Sequence, residues 1–304
     1  MTFEVTILGS NSSLPTKTRN PSSQVLNIND NLFLIDCGEG TQVQLLKQNI
    51  KKNRIEHIFI SHLHGDHYLG LIGLIQSMHL MGRTKAIQLY GPPELKEIID
   101  IHLKHSRTQL NYELVFHPTQ ANSPEVIYET PSLIVETIIL DHRIPCTGFL
   151  FKEKEKGIRL NKGALEVHEV GNHYIHLLKQ GNDFEKPDGT IIPNNVFTKE
   201  PNPALSYAYC SDTAYKESNV EQLKNVDLMY HEATFLHEML DRAKMTKHST
   251  AKEAATIANM CGVRKLLIGH FSARYNDLTP LLDEAKETFE NTFLAIEGET
   301  FSAL

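Results

Sequence analysis

Short runs dominated by Val, Ile, Leu, Phe and Tyr recur along the chain, each bounded by Gly, Pro, Asn or Asp. They fall at residues 3–8, 31–35, 57–60, 87–90, 133–140, 206–209, 227–230, 265–268 and 292–296. Apolar runs of this length between turn-forming residues predict strands. Between several of them, residues 69–80, 95–104 and 251–260 carry apolar positions at helical spacing. The last stretch has the clearest ends: Thr250 with Glu253 three residues on predicts a capping box, and Gly262 a left-handed stop. Alternating helices and strands, with some strands adjacent, predict a layered α/β (α+β) fold in which helices cover sheets. There is no evident internal repeat.

Residues 152–203 break this rhythm. The segment is polar, carries scattered Gly and Pro, and sustains neither period. Both an inserted arm and a small subdomain on the main body fit that pattern, and long excursions of this kind are commonly functional. Lys152, Lys154, Lys156, Arg159 and Lys162 near its start, against Glu153 and Glu155, suit phosphate contacts.

Composition narrows the class. With 304 residues, 40% hydrophobic and 22% charged, the chain has an ordinary globular make-up, sufficient for one large or two smaller domains. Its longest apolar stretches, 69–75 and 133–140, are far shorter than the ~20 residues that span a bilayer. Residues 1–10 lack a basic segment followed by an apolar one, so a cytoplasmic protein with no membrane partner is expected. Cys37, Cys146, Cys210 and Cys261 stand singly, the pattern of reduced, buried thiols. A formal charge of -7 argues against a generally basic nucleic-acid binder, so any RNA contact must use local patches. The 16 histidines are about twice an ordinary share.

Four of the potential ligands stand together in His62-Leu63-His64-Gly65-Asp66-His67, directly after the 57–60 strand. By chance an H-x-H-x-D-H match falls roughly once in 600 chains of this length. The spacing turns His62 and His64 to one side of an extended segment, toward one ion, while Asp66 and His67 enter the next helix and reach a second. Further candidates follow other predicted strands: Asp141-His142, Asp212 and His270. Each alone reads as a turn residue or a satisfied histidine. Together they complete two shells, with His62, His64 and His142 on one ion, Asp66, His67 and His270 on the other, and Asp212 bridging. An all-nitrogen-and-carboxylate donor set suits zinc, with manganese as a substitute.

HLHGDH with His142, Asp212 and His270 in this order resembles the metallo-β-lactamase superfamily. Three further stretches are similar to its RNase Z (tRNase Z) branch, short form: 8–23 with Leu14-Pro15-Thr16-Lys17 and Arg19-Asn20-Pro21-Ser22-Ser23, His231-Glu232-Ala233-Thr234-Phe235, and Lys247-His248-Ser249-Thr250-Ala251. The resemblance covers nearly the whole chain. It implies a four-layer αββα sandwich forming one domain over 1–304, with two zinc ions at one edge and residues 152–203 as a flexible arm and tRNA-binding exosite. That segment lacks the Gly-Pro-rich tip usual in bacterial members, and the start has Gly9-Ser10-Asn11-Ser12 where the family usually has a Gly-x-Gly turn. Asp36, in Asp36-Cys37-Gly38-Glu39-Gly40-Thr41-Gln42, corresponds to the superfamily residue that orients the metal-binding loop.

His231-Glu232 does not extend to H-E-x-x-H, because the chain has Phe235, so zincin chemistry is excluded. The resemblance instead pairs Glu232 with His248 as an acid-base dyad. It makes Asp66 the proton acceptor, places Lys17, Arg19 and Arg274 among the substrate-binding residues, and implies a homodimer. The leading expectation is a zinc-dependent endoribonuclease that removes the 3′ trailer of precursor tRNA and leaves a 3′-hydroxyl. The alternatives are a small-substrate hydrolase acting on an ester, thioester, lactone, sulfate ester or cyclic nucleotide, and a catalytically dead RNA-binding member. Of the basic runs, Arg242, Lys244 and Lys247 lie next to the expected dyad and suit phosphate steering.

Overall fold

The computed structural model describes residues 2–304, which fall into two compact units. The larger holds the chain up to Glu129, Ile134–Lys152 and Leu205–Leu304; the smaller holds Thr130–Leu133 and Glu153–Ala204.

The larger unit begins with strands β1 (Phe3–Gly9), β2 (Ser23–Ile28) and β3 (Asn31–Cys37), then helix α1 (Thr41–Lys47) and β4 (Ile55–Phe59). Helix α2 (Gly65–Leu80), β5 (Ile87–Gly91), α3 (Glu94–His105), β6 (Leu114–Pro118), β7 (Val126–Glu129), β8 (Leu133–Ile139) and β9 (Thr147–Glu153) follow. The smaller unit contributes β10 (Arg159–Leu160), α4 (Lys162–Val167), α5 (Ile175–Lys179), β11 (Phe184–Glu185), β12 (Ile191–Ile192), α6 (Asn194–Phe197) and β13 (Thr198–Lys199). The chain closes with β14 (Ser206–Cys210), β15 (Leu228–Glu232), α7 (Leu240–Thr246), α8 (Ala251–Cys261), β16 (Lys265–Gly269), α9 (Thr279–Lys286), β17 (Thr292–Leu294) and β18 (Thr300–Ser302).

Two seven-stranded sheets result, in the orders β18-β1-β2-β3-β4-β5-β6 and β17-β16-β15-β14-β9-β8-β7. Period-two alternation gives each sheet two apolar faces. Leu32 and Leu34 of β3 and Ile58 of β4 pack outward with Leu71, Leu74 and Ile75 of α2 and Ile99 of α3. Ala208, Cys210 and Met229 pack outward with Ala254, Ile257 and Ala258 of α8 and Leu281 of α9. The intervening residues meet between the sheets as aromatic pairs: Phe33 with Phe151 at 5.6 Å, and Phe59 with Phe149 at 5.3 Å. Helices, sheet, sheet and helices make the four αββα layers.

The helix expected at 251–260 is α8, with both hydrogen bonds of the Thr250–Glu253 capping box present and Gly262 left-handed at φ 63°. The apolar pattern at 69–80 marks only part of α2, whose first turn carries Asp66 and His67, residues that no hydrophobic period registers. β2 and β9 escape the pattern too. Ser23 and Gln24 of β2 are buried polar residues, Gln24 accepting the Tyr207 hydroxyl between the sheets, and β9 is buried along nearly its whole length.

The smaller unit has its own small core, in which Leu178, Phe184 and Phe197 are buried and Leu160, Leu165, Tyr174 and Ile192 pack on them. Its basic side chains are partly engaged: Lys156 pairs with Glu153, and Arg159 Nε donates to the Glu200 carbonyl at 2.8 Å.

Candidate metal centre and active site

The chemistry-bearing residues lie at the carboxyl ends of strands, where open α/β sheets place their sites. His62 and His64 follow β4, His142 follows β8, Asp212 follows β14, Glu232 ends β15, and His270 follows β16 at once. All belong to the larger unit.

Two sets of donor atoms converge. In the first, His64 Nδ1 lies 3.1 Å from both His62 Nε2 and His142 Nε2, while Asp212 Oδ2 is 3.6 Å and 3.7 Å from those two. In the second, Asp66 Oδ2 stands 3.5 Å from His67 Nε2 and 3.4 Å from His270 Nε2, and Asp212 Oδ1 is 3.2 Å and 3.1 Å from the same nitrogens. Zinc held tetrahedrally at about 2.0–2.1 Å spaces its ligands about 3.3 Å apart, close to both sets. His67 Nε2 and Asp212 Oδ1 are buried without a hydrogen-bond partner, as atoms aimed at a shared centre are. The sets therefore fit divalent cations.

The tautomers are fixed from behind. His67 Nδ1 donates to Asp36 at 2.7 Å, His142 Nδ1 to the Lys247 carbonyl at 2.8 Å, and His270 Nδ1 to the Thr234 hydroxyl at 3.0 Å. His62 Nδ1 faces the Ser61 hydroxyl at 3.0 Å. Each arrangement leaves an Nε2 lone pair toward the donor sets. Asp36 also accepts from the Ser61 amide and hydroxyl and from the Tyr209 hydroxyl, the last at 2.7 Å. Three of these parts are left-handed without being glycine, Asp36 at φ 54° and Lys247 and His270 at φ 58°. Such conformations cost roughly 1–3 kcal/mol each and persist where packing over-determines them.

Electrostatics agrees. Burial holds His62, His64 and His142 below the ordinary imidazole range, neutral and ready as ligands. Burial works against the Asp212 and Asp66 anions, yet the surrounding imidazoles outweigh it and hold both carboxyls well below their usual range. Burial likewise opposes charge on His67, but Asp212, Asp66 and Asp36 raise it well above normal. A cation placed among the same carboxylates would answer the charge that a proton on His67 answers in its absence.

His248 Nδ1 pairs with Glu232 Oε1 at 2.8 Å, and the carboxylate outweighs burial to raise the imidazole to about 9. His248 also stands 4.0 Å from Asp212 Oδ2, within a grouping of Asp212, His248 and His270. Its Nδ1 is committed to Glu232, so the arrangement presents a charged proton donor. Glu232 is fully buried and takes three more bonds, from the Thr213 amide and from the Thr234 amide and hydroxyl.

A cavity of about 330 Å³ opens over these groups, lined by His64, Asp66, Asp212 and His248 together with Arg143 and Glu39. Asp66 Oδ2 accepts the Ser13 amide at 2.7 Å, while its Oδ1 takes no hydrogen bond among the described residues. Lys17, Arg19 and Arg274 are not in the lining. Arg19 Nε donates to Asn11 at 2.8 Å, Arg274 stacks over Phe235 at 5.1 Å, and Lys17 is exposed. Sequence reasoning passed over Arg143, although it directly follows His142, and Thr234, which lies inside the His231-Glu232-Ala233-Thr234-Phe235 stretch. No pattern marks Thr234 as the link between Glu232 and His270.

The fold has close counterparts. The metallo-β-lactamase fold protein YhfI of Bacillus subtilis matches with a TM-score of 0.68 at 18% identity, over 99% of each chain. The sandwich and its edge site thus make the chain a metallo-β-lactamase fold protein. Human tRNase Z, short form, matches with a TM-score of 0.73 at 29% identity over 99% of each chain. Ribonuclease Z of Bacteroides fragilis strain YCH46 is 47% identical over 296 residues, 97% of each chain. Residues 3–156 also match the family model described as anti-Pycsar protein Apyc1. With full-length identity of this order, the chain belongs to the ribonuclease Z family.

Proposed function

We propose that the protein is an endoribonuclease that processes tRNA 3′ ends, cutting precursor tRNA so that the tRNA body keeps a 3′-hydroxyl and the trailer a 5′-phosphate. The observation that carries this reading is the 2.8 Å pairing of the buried Glu232 with His248, which lines the donor-rich cavity. Such a proton donor matters when the leaving oxygen has a high pKa, as a ribose 3′-oxygen does. Membership of the ribonuclease Z family supports the substrate class.

His62, His64, His142 and Asp212 would hold one zinc ion, and Asp66, His67, His270 and Asp212 a second, with manganese as a substitute. When bound, the ions supply Lewis acidity toward water and phosphate. Asp66, held ionised, would accept the proton of the attacking water at Oδ1 and release it to solvent through the open cavity. His248 delivers its Nε2 proton to the departing 3′-oxygen, and Glu232 keeps the ring charged and oriented. A hydrolase of small activated esters has no need of that donor.

Residues 152–203 serve as the tRNA-binding exosite, and Lys17, Arg19 and Arg274 lie along the RNA path outside the cavity. A cytoplasmic homodimer completes the reading; among the described residues, no helix is long and apolar enough to cross a membrane. The decisive test varies the leaving group. His248→Ala slows precursor tRNA cleavage by ~10²-fold or more and spares bis(p-nitrophenyl) phosphate, whose nitrophenolate leaves unaided. Equal losses on both substrates at unchanged zinc content would make His248 a support of the metal site instead.

A further inference from the structure

Lys247, the basic residue nearest the dyad in sequence, is already occupied: its Nζ lies 3.0 Å and 3.2 Å from the two Asp141 oxygens, and its carbonyl holds His142. The guanidinium that lines the cavity is that of Arg143. It is exposed, it follows His142 directly, and it makes no hydrogen bond or ion pair among the described residues. It lines the same 330 Å³ cavity as His64, Asp66, Asp212 and His248, and its charge is felt by both His64 and His248.

A guanidinium beside the Asp66 and Asp212 carboxylates is attracted while the two sets are empty and would be repelled once divalent cations fill them. An anion in the cavity reverses that balance. A phosphodiester carries one negative charge on two non-bridging oxygens, and the planar fork of arginine matches such a group better than the single ammonium of lysine. We propose that Arg143 donates hydrogen bonds to the non-bridging oxygens of the scissile phosphodiester, making it a catalytic residue outside both the donor sets and the dyad. This rests on the phosphodiesterase reading above, and it does not require that the diester be part of a tRNA.

The test uses the zinc-loaded full chain with Arg143→Ala, Arg143→Gln and Arg143→Lys. The readouts are kcat/KM on bis(p-nitrophenyl) phosphate and on precursor tRNA, competitive inhibition by inorganic phosphate, and zinc content. Arg143→Ala and Arg143→Gln are expected to lose about 10²-fold on both substrates, as removal of one transition-state donor does. Inhibition by phosphate weakens at least about tenfold, Arg143→Lys recovers part of each loss, and zinc content stays at the wild-type level. Unchanged rates and inhibition would overturn the proposal. So would a loss confined to tRNA, which would place Arg143 on a flanking phosphate, or a fall in zinc content, which would make it a support of His142. A wild-type protein that hydrolyses the small diester without cutting tRNA would sink the tRNA reading and leave the Arg143 result to be judged on the diester.

Discussion

Glu232 joins His248 to the converging His and Asp donor groups through single atoms. Oε1 holds His248 and the Thr213 amide, while Oε2 holds Thr234, whose hydroxyl in turn takes the proton of His270 Nδ1. Glu232→Ala would strand two buried amides, at roughly 1–3 kcal/mol each, and so confuse stability with chemistry. Glu232→Gln keeps the volume and one acceptor oxygen. Its expected effect is a roughly 10-fold or greater loss on precursor tRNA with a smaller loss on bis(p-nitrophenyl) phosphate, read by steady-state kinetics alongside the melting temperature. A uniform loss on both substrates would contradict the account. At this scale the convergence of His62, His64, Asp66 and His67 is legible because their close spacing is itself the signal. The supports are not. Thr234 reaches His270 across 36 residues and His142 reaches the Lys247 carbonyl across 105, distances over which one sequence carries no pairing information.

Helix α2 delivers Asp66 and His67 from its first turn, and its position depends on Gly70. A Cβ there would overlap the Gly38 carbonyl oxygen, in the loop that follows Asp36. Gly70→Ala therefore has to push the helix away from the loop that follows Asp36, the residue that orients His67. The expected cost is about 1–3 kcal/mol of stability, typical of overpacking, together with weakened zinc binding. Denaturant titration and metal analysis of the variant check both, and wild-type zinc affinity would show that the helix has room. Elements were legible where their polar and apolar positions matched one period and their ends carried strong signals, as in α8 with Thr250, Glu253 and Gly262. They were hidden where burial covers both faces, as in β9, or where polar residues are buried for chemistry or for contacts between the sheets, as in α2 and β2.

For the whole molecule, the longer of the smaller unit's two segments is an insertion with a simple entry and exit. β9 and β14 are antiparallel neighbours with Lys152 opposite Ser206, so residues 153–205 stand where a tight turn would otherwise join two strands. Replacing them by an Asn-Gly turn, suited to a two-residue hairpin, is expected to preserve the sandwich, zinc binding and hydrolysis of bis(p-nitrophenyl) phosphate. Cleavage of precursor tRNA should fall by at least about 10²-fold, through KM, as the loss of an electrostatic RNA contact requires. Retained tRNA cleavage would remove the exosite from the account. The unit's core of Leu178, Phe184 and Phe197 was illegible because its few apolar residues are scattered among polar ones at no fixed interval.

The most direct measurement maps the ends produced when the zinc-loaded protein meets a labelled precursor tRNA. The account predicts one dominant cut at the base of the trailer, with a 3′-hydroxyl on the tRNA body and a 5′-phosphate on the trailer, abolished by chelation and restored by zinc. A 2′,3′-cyclic phosphate end, cutting that survives chelation, or no cutting by a protein that still hydrolyses bis(p-nitrophenyl) phosphate would contradict it.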